Sequence, residues 1–329
     1  MAKPWKEPIA LIGLGSIGVS FAALYLRHTE SVIRLYDPRP DLVRHLETVL
    51  PKYLNTDAAD LQVRHLLDSG RLVVCRSLED VCRNVSIIQE QGPEILDLKC
   101  TTWQTILRVA APHTHLWSST SGITASQQNE KLSDQTRLLV VHPFNPPHVM
   151  PLIEIIPSPV TQSGETQFAL EFFNTLGSGH QPVVLRKEVP GFVGNRLAFV
   201  LLREAMHLVK EGVVSVKDLD KIVENSIGPR WAVTGPFKAY NYGGGFNGIG
   251  GFLNNLSHTI QAVWDDSGVL SLQDTAVWPS IAAAKDGKSA EKSDWAKSLV
   301  QQVDQTYGRP TPDQLRERDD KLERVLHAK

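Results

Sequence analysis

The sequence is most constrained by the segment GLGSIG at 13–18, which lies between an apolar run and a helical pattern. The run before it, IALI at 9–12, has the character of a buried strand, and the residues after it, VSFAALYL, have that of a packed helix. A second apolar run, VIRLY, ends at Asp37, 19 residues after Gly18. This succession of strand, glycine turn, helix, strand and acidic residue predicts a dinucleotide-binding α/β unit.

The predicted cofactor loop comprises Gly13, Gly15, Ser16, Ile17 and Gly18. Gly13 would form the tight turn, Gly15 would let backbone N–H groups approach the pyrophosphate, and Gly18 would allow close packing of helix and strand. Asp37 would accept hydrogen bonds from the adenosine ribose and repel a 2′-phosphate, which favours NAD over NADP. Arg39 nearby weakens that preference. The sequence therefore predicts NAD as the cofactor.

A second glycine-rich segment, GGGFNGIGG at 243–251, also contains the spacing G-x-G-x-x-G. No apolar strand precedes it, and six glycines in nine residues give a backbone too flexible to begin a helix. We predict a mobile loop here, and not a second nucleotide site.

The pattern of apolar segments changes near residue 188. Before it, short apolar runs alternate with helical patterns, as in a mostly parallel sheet covered on both faces, and the later runs are spaced closely enough for an antiparallel portion. After it, helical patterns dominate, and a chain of 329 residues is long enough for two domains. We predict an α/β, Rossmann-type NAD-binding domain at 1–187 and an all-helical domain for substrate binding and dimerisation at 188–329.

Composition excludes several classes of partner. The net charge of -2, without a basic block, argues against nucleic acid and anionic membrane surfaces. The apolar stretches are shorter than the roughly 20 residues of a membrane span. Cys75, Cys82 and Cys100 show neither metal-ligand spacing nor an even disulfide framework, so we predict no metal site and a reducing compartment, the cytoplasm.

Two histidines occur in the proline-rich segment VVHPFNPPHVMPLIEI at 140–155. His142 would lie at the carboxyl end of an apolar strand, where ligands bind in open α/β sheets. Glu154 lies within the apolar run LIEII, where a carboxylate is costly without a partner. A hydrogen bond between the two would offset that cost and fix the imidazole tautomer. We predict that His142 is catalytic and that His148 lies at the surface.

Polar residues of two further segments fit the same site. SSTSG at 118–122 follows an apolar run and offers hydroxyls at the same sheet edge, and Asn195 lies near the start of the long helical pattern after Pro190. Taken alone, SSTSG is most often a loop before a helix, and Asn195 could be a capping or hinge residue.

In combination, these segments resemble the 3-hydroxyacyl-CoA dehydrogenase superfamily, and most of all its lambda-crystallin, or L-gulonate 3-dehydrogenase, branch. The resemblance covers nearly the whole chain and rests on GLGSIG, IQEQGPEILDLK, SSTSG, HPFNPPHVMPLIEI, KEVPGFVGNRL, EGVVSVKDLD and GPRWAVTGPF. It implies an NAD-dependent dehydrogenase that forms a homodimer. It also implies that His142 is the general base paired with Glu154, and that Ser121 and Asn195 donate hydrogen bonds to the reacting oxygen of the substrate.

The resemblance further implies that Glu94 and Lys99 border the nicotinamide end of the cofactor. One departure concerns the segment at 118–121, where acyl-CoA dehydrogenases usually read Ser-Asn-Thr-Ser. Ser119 of this chain replaces the asparagine amide that helps to hold the cofactor, so its contribution to cofactor binding is open.

The choice of substrate depends on charge. Family members that act on acyl-CoA carry a lysine-rich helical segment between the second and third strands. The corresponding residues of this chain, 41–70, contain three basic and five acidic side chains: Arg44, Lys52, Arg64, Asp41, Glu47, Asp57, Asp60 and Asp68. This is a poor surface for the phosphates of CoA. Arg230 would suit a small carboxylate, although a surface or interdomain salt bridge would explain it equally well.

We therefore predict an NAD-dependent enzyme that oxidises the C3 hydroxyl of a small free 3-hydroxy acid to the 3-keto acid. L-gulonate is the first candidate, and carnitine or a related hydroxy acid is the next. Three alternatives stay open: a 3-hydroxyacyl-CoA dehydrogenase, a tailoring dehydrogenase of a specialised metabolite, and an NAD-binding structural protein of crystallin type.

Overall fold

The computed structural model describes residues 5–54, 62–270, 272 and 295–328. The chain divides into two compact units, Met1–Arg196 and Leu197–Lys329. The helix Gly194–Lys210 begins in the first unit and continues into the second. The boundary after residue 187 stays a prediction.

The first unit contains an eight-stranded sheet with the strand order β3-β2-β1-β4-β5-β6-β7-β8. Its strands are β1 (Ile9–Ile12), β2 (Ile33–Tyr36), β3 (Leu72–Val74), β4 (Ile87–Glu90), β5 (His115–Ser118), β6 (Leu138–Pro143), β7 (Leu152–Pro157) and β8 (Gln181–Val184). Strands β1 to β6 pair in parallel, whereas β7 is antiparallel to β6 and parallel to β8. The predicted mostly parallel sheet with an antiparallel portion is confirmed.

Helices cover the sheet on both faces. Those of the first unit are α1 (Ser16–His28), α2 (Leu42–Leu54), α3 (Val63–Asp68), α4 (Leu78–Val81), α5 (Leu96–Leu107), α6 (Ala125–Asn129) and α7 (Ser163–Thr175). Side chains of β1 alternate between two cores: Ile9 and Leu11 pack in the one that includes α1, α2 and α7, and Ala10 and Ile12 in the one that includes α5. This double burial explains the nearly continuous apolar strands.

The second unit is helical, and no strand occurs among its described residues. Its helices are α8 (Gly194–Lys210), α9 (Val216–Glu224), α10 (Ile227–Val233), α11 (Pro236–Gly243), α12 (Gly248–Asp266), α13 (Trp295–Tyr307) and α14 (Pro312–His327). Ser215 caps α9 by accepting a hydrogen bond from the backbone N–H of Asp218. The predicted second, helical domain is confirmed in these described residues.

The prediction of a loop at 243–251 was wrong. A 3₁₀ turn at Gly245–Asn247 leads directly into the 19-residue helix α12, which begins at Gly248. A Cβ atom on Gly244 would lie 1.6 Å from the carbonyl oxygen of Gly248, and one on Gly248 would lie 2.7 Å from Oδ1 of Asn241 on α11. The glycines therefore allow α11 and α12 to approach closely, and this packing outweighs their low helix propensity.

The described residues give no sign of a membrane span or a metal site. None of the described helices is long and apolar enough to cross a bilayer. No group of three or more His, Cys, Asp or Glu side chains in the same residues could hold a metal ion. All three cysteines are free thiols, and burial raises the pKa of Cys82 to about 12.

Candidate active site

The candidate site lies at the carboxyl edge of the parallel strands. There, the glycine loop follows β1, residues 91–94 follow β4, and residues 119–122 follow β5. Strands β2 and β3 lie on one side of β1, and strands β4 to β8 lie on the other side. The direction in which the chain adds strands therefore reverses between β1 and β4. Open α/β sheets bind ligands at this point of reversal, because the loops on either side diverge and leave a crevice.

The glycine loop is shaped by close backbone contacts. Gly13 has φ +89°, and a Cβ atom there would lie 2.9 Å from the backbone of Gln91. A Cβ atom on Gly18 would lie 2.0 Å from the carbonyl oxygen of Gly13, whereas one on Gly15 would meet nothing within 4 Å. Helix α1 starts at Ser16, and the first N–H groups of a helix have no acceptor within it, so they are available to a pyrophosphate.

Asp37, just beyond β2, links the glycine loop to the second strand. Its Oδ2 accepts a hydrogen bond from the backbone N–H of Leu14 at 2.7 Å. Its Oδ1 accepts two, from the backbone N–H of Arg39 at 3.0 Å and from Nε of that residue at 3.1 Å. Burial alone would raise the pKa of Asp37, but these hydrogen bonds and the guanidinium charge hold it below its usual value.

His142 and Glu154 face each other across the antiparallel pair β6 and β7. Nδ1 of His142 lies 2.9 Å from Oε2 of Glu154, and both residues are almost fully buried. Oε1 of Glu154 accepts hydrogen bonds from the backbone N–H groups of Val193 at 2.9 Å and Gly194 at 3.0 Å. Burial would raise the pKa of Glu154, but the hydrogen bonds from His142, Gly194 and Val193 outweigh it and lower that pKa. Glu154 is therefore ionised at neutral pH.

Aromatic rings enclose the imidazole. The ring of Phe192 lies 5.1 Å from that of His142, and the ring of Phe144 lies 5.7 Å away. Phe192 has φ +55°, an unfavourable backbone conformation for a residue with a side chain, in the turn that aims the next two N–H groups at Glu154. A Cβ atom on Gly194 would lie 2.3 Å from the ring of Phe144, so only glycine fits there without displacing that ring.

Glu94 organises the loop that carries Ser121. Its Oε1 accepts hydrogen bonds from the backbone N–H groups of Ser121 and Gly122, each at 2.9 Å, and from the hydroxyl of Thr120. The side-chain amide of Asn195 donates to the carbonyl oxygen of Ser121 at 3.0 Å. The structure thus brings Ser121, Asn195 and Glu94 together, and their contacts with substrate or cofactor stay predictions.

Lys99 and Ser119 have buried protein partners. The ammonium group of Lys99 lies 3.0 and 2.9 Å from the two carboxylate oxygens of Glu90 and 3.3 Å from the carbonyl oxygen of Gly92. These three acceptors match its three N–H donors. The hydroxyl of Ser119 accepts a hydrogen bond from the amide of Gln89 at 2.9 Å. Lys99 and Ser119 are both buried beside the site, and a contact of either residue with the cofactor stays a prediction.

Sequence reasoning overlooked Glu90. It is the last residue of β4, almost fully buried, and it also accepts a hydrogen bond from the backbone N–H of Gly92 at 2.6 Å and one from the hydroxyl of Ser118 at 3.2 Å. The signal was the same as for Glu154, since VSIIQE also places a carboxylate at the end of an apolar strand.

His148, which we expected at the surface, has protein partners. The imidazole is half-buried, with Nδ1 2.8 Å from the hydroxyl of Ser20 on α1, and its ring lies 4.8 Å from that of Tyr53. The proline-rich loop therefore folds back on α1 and α2, which gives this histidine partners in the core. Arg230 lies exposed on α10 in the second unit, and its contact with substrate stays a prediction.

The glycine loop at the point of sheet reversal and the buried histidine–carboxylate pair define an NAD-binding dehydrogenase. Residues 8–189 match the family model of the 3-hydroxyacyl-CoA dehydrogenase NAD binding domain, and residues 191–266 match that of the C-terminal domain. The chain belongs to the 3-hydroxyacyl-CoA dehydrogenase family and is an oxidoreductase that acts on CH–OH groups with NAD.

Two curated relatives illustrate the range of substrates in this family. A 3-hydroxyacyl-CoA dehydrogenase of Gibberella moniliformis is 33% identical over 98% of this chain and 94% of its own length. An L-carnitine dehydrogenase of Pseudomonas putida is 34% identical over 78% of this chain and 79% of its own. Among solved structures, a 5-formyl-3-hydroxy-2-methylpyridine 4-carboxylic acid 5-dehydrogenase, described as an NAD⁺-dependent dismutase, superposes with a TM-score of 0.72 at 25% identity, over 98% of each chain. Membership of the lambda-crystallin branch stays a prediction.

Two glycine substitutions should separate cofactor binding from folding. Gly15→Ala should leave the free energy of unfolding unchanged within about 0.5 kcal/mol, because its Cβ meets open space, yet weaken NAD binding at least about tenfold by obstructing the pyrophosphate. Gly18→Ala should lower the free energy of unfolding by about 1–3 kcal/mol, because its Cβ would collide with Gly13. Calorimetric titration with NAD measures the affinity for the cofactor, and denaturation with urea measures the free energy of unfolding. Unchanged NAD affinity in Gly15→Ala would exclude a pyrophosphate at this loop.

The stability contributed by Glu154 should depend on pH in a defined direction. Because its pKa in the folded protein is lowered from 4.5, the stabilisation is fully present above that pH and disappears as pH falls through the lowered value. Glu154→Gln should therefore reduce the free energy of unfolding by about 1.5–3 kcal/mol at pH 7. The difference in this free energy between wild type and variant should become smaller below pH 4.5. Urea denaturation at pH 7, 5, 4 and 3 measures this, with the exposed Glu130→Gln as control. A difference in stability between wild type and Glu154→Gln that grows at low pH would contradict the ionised state assigned to Glu154.

Proposed function

We propose that the protein oxidises the C3 hydroxyl of a small, free 3-hydroxy acid to the 3-keto acid with NAD, using His142 as the base. The observation that carries the proposal is the buried contact of His142 with Glu154. An ionised carboxylate only accepts hydrogen bonds, so the contact assigns the ring proton to Nδ1 and leaves the lone pair of Nε2 for the substrate.

The residues of the site supply the proton chemistry. NAD, when bound, supplies the acceptor for the hydride that leaves C3. Nε2 of His142 takes the proton of the C3 hydroxyl, and the charge that develops on the ring is stabilised by Glu154. In the reverse direction the protonated ring returns that proton. We propose that Ser121 and Asn195 donate hydrogen bonds to the reacting oxygen, which stabilise the negative charge developing on it.

A free acid is favoured over a CoA ester by the charges of residues 41–70. Of the three basic side chains in this segment, Arg64 is already paired with Glu47, at 2.7 Å. Asp57 and Asp60, two of the acidic residues in the prediction, lie outside the described residues. Arg230 is the proposed partner of the substrate carboxylate.

The relatives named L-carnitine dehydrogenase support a free acid and favour carnitine over L-gulonate as the first compound to test. The full-length relative named 3-hydroxyacyl-CoA dehydrogenase supports the ester as the second candidate. The similarity to a pyridine carboxylic acid dehydrogenase keeps a specialised substrate open. The cytoplasmic location stays a prediction from the cysteine content.

A panel of substrates tests the proposal. L-carnitine, L-gulonate, 3-hydroxybutyrate and 3-hydroxybutyryl-CoA are each assayed for NADH formation with the wild type, His142→Ala and the exposed control His113→Ala. We expect turnover of a free acid, a fall in kcat of about 10²–10⁴-fold in His142→Ala, and no change in the control. Turnover of the CoA ester alone would overturn the charge argument. NAD binding without any turnover would favour a specialised substrate or the crystallin-type structural function.

We also propose that the protein is a homodimer. On helix α8, Leu197, Phe199, Val200 and Leu202 are each more than half exposed, which is unusual for a stable monomer. Light scattering after size exclusion should give twice the 36.5 kDa of one chain, and the double substitution Phe199→Asp and Leu202→Asp should halve that mass. Val213→Asp, at another exposed apolar residue, is the control. A wild-type monomer at micromolar concentration would exclude the dimer.

A further inference from the structure

A cavity of about 680 Å³ opens beside Asp37, at the carboxyl ends of β2 and β3. In a dinucleotide-binding sheet this position receives the adenosine half of the cofactor. Four arginines and three acidic residues line the cavity: Arg39, Arg44, Arg64, Arg76, Asp37, Asp41 and Glu47. The lining residues within 41–70 are balanced in charge, and Arg39 and Arg76, outside that segment, make the lining net positive, which favours an additional phosphate.

Ion pairing leaves the excess charge on two of these arginines. Arg39 is paired with Asp37 at 3.1 Å, and Arg64 with Glu47 at 2.7 Å. Within the described residues, the guanidinium groups of Arg44 and Arg76 make no ion pair and no hydrogen bond, and both side chains are exposed. Two cations thus face the cavity with Asp41 as the one acidic lining residue without an ion pair in the same described part of the chain.

The carboxylate of Asp37 is poorly placed to repel a phosphate. An ionised carboxylate offers about four lone pairs to donors. Three hydrogen bonds, from the N–H of Leu14 and from the N–H and Nε of Arg39, already use most of them. One position is left for a ribose hydroxyl, and the charge of Asp37 is balanced by the guanidinium beside it.

We propose that this cavity accepts a 2′-phosphate on the adenosine ribose, so that the protein uses NADP as well as NAD, and that Arg39 is the residue that determines this tolerance. Arg39 acts in two ways. It neutralises Asp37 through Nε, and its two terminal nitrogens can donate to the phosphate together with Arg44 and Arg76. The inference rests on the proposed placement of the cofactor at Asp37, and it departs from the sequence argument that an aspartate there favours NAD over NADP.

Binding of NAD and NADP by titration calorimetry tests the inference without any hydroxy acid. We expect the wild type to bind NADP within about tenfold of NAD, and Arg39→Ala to lose at least about tenfold more affinity for NADP than for NAD, as expected for the loss of charge-assisted hydrogen bonds. The control is Arg108→Ala, an exposed arginine of the same unit that does not line the cavity. Raising the ionic strength should weaken NADP binding more than NAD binding.

Two results would overturn the inference. The first is a wild type whose dissociation constant for NADP is at least about a hundredfold higher than that for NAD. The second is an Arg39→Ala variant that loses equal affinity for both cofactors, which would make Arg39 a structural residue. Neither result depends on which hydroxy acid is oxidised. A failure of the substrate panel with a positive result here would count against the proposed reaction alone.

Discussion

The buried carboxylate of Glu154 is the interaction on which the candidate site depends. A charge inside an apolar sheet is tolerable only with several hydrogen-bond donors, and Glu154 has three: the imidazole of His142 and the N–H groups of Val193 and Gly194. These donors come from β6, from the turn before α8 and from the first residue of α8. The need to satisfy one charge therefore fixes the position of the base, its tautomer and the path of the chain as it leaves the sheet.

A second buried charge supports the opposite side of the site. Glu90 and Lys99 form an ion pair with almost no exposure to solvent, and it links the end of β4 to the first turns of α5. Breaking such a pair by removing one partner typically costs about 3–5 kcal/mol. Between these residues the chain passes through Glu94, which holds the loop of Ser121. Both halves of the site thus depend on carboxylates that the fold satisfies completely.

Much of this could be predicted, because the strongest signals were local conflicts with the apolar pattern. GLGSIG predicted a dinucleotide site because a strand pattern precedes it and a helix pattern follows it. Glu154 predicted a hydrogen-bond partner because it lies in an apolar strand. Contacts distant in sequence gave no comparable signal. The half-buried position of His148 depends on Ser20, and the helical glycines of 243–251 depend on the packing of α11 against α12. Glu90 was missed although its pattern was as clear as that of Glu154.

The start of α8, at Val193 and Gly194, has an evolutionary consequence. Its two contacts with Glu154 are made by main-chain N–H groups, which every residue except proline possesses. The side chain of Val193 is exposed and has no part in them. Mutations can therefore accumulate along α8 after Asn195 and in the helices beyond it without disturbing the catalytic pair, provided that the backbone of Val193 and the glycine at 194 are kept. Such insulation would let one reaction centre acquire new substrates through changes confined to the helical half of the chain.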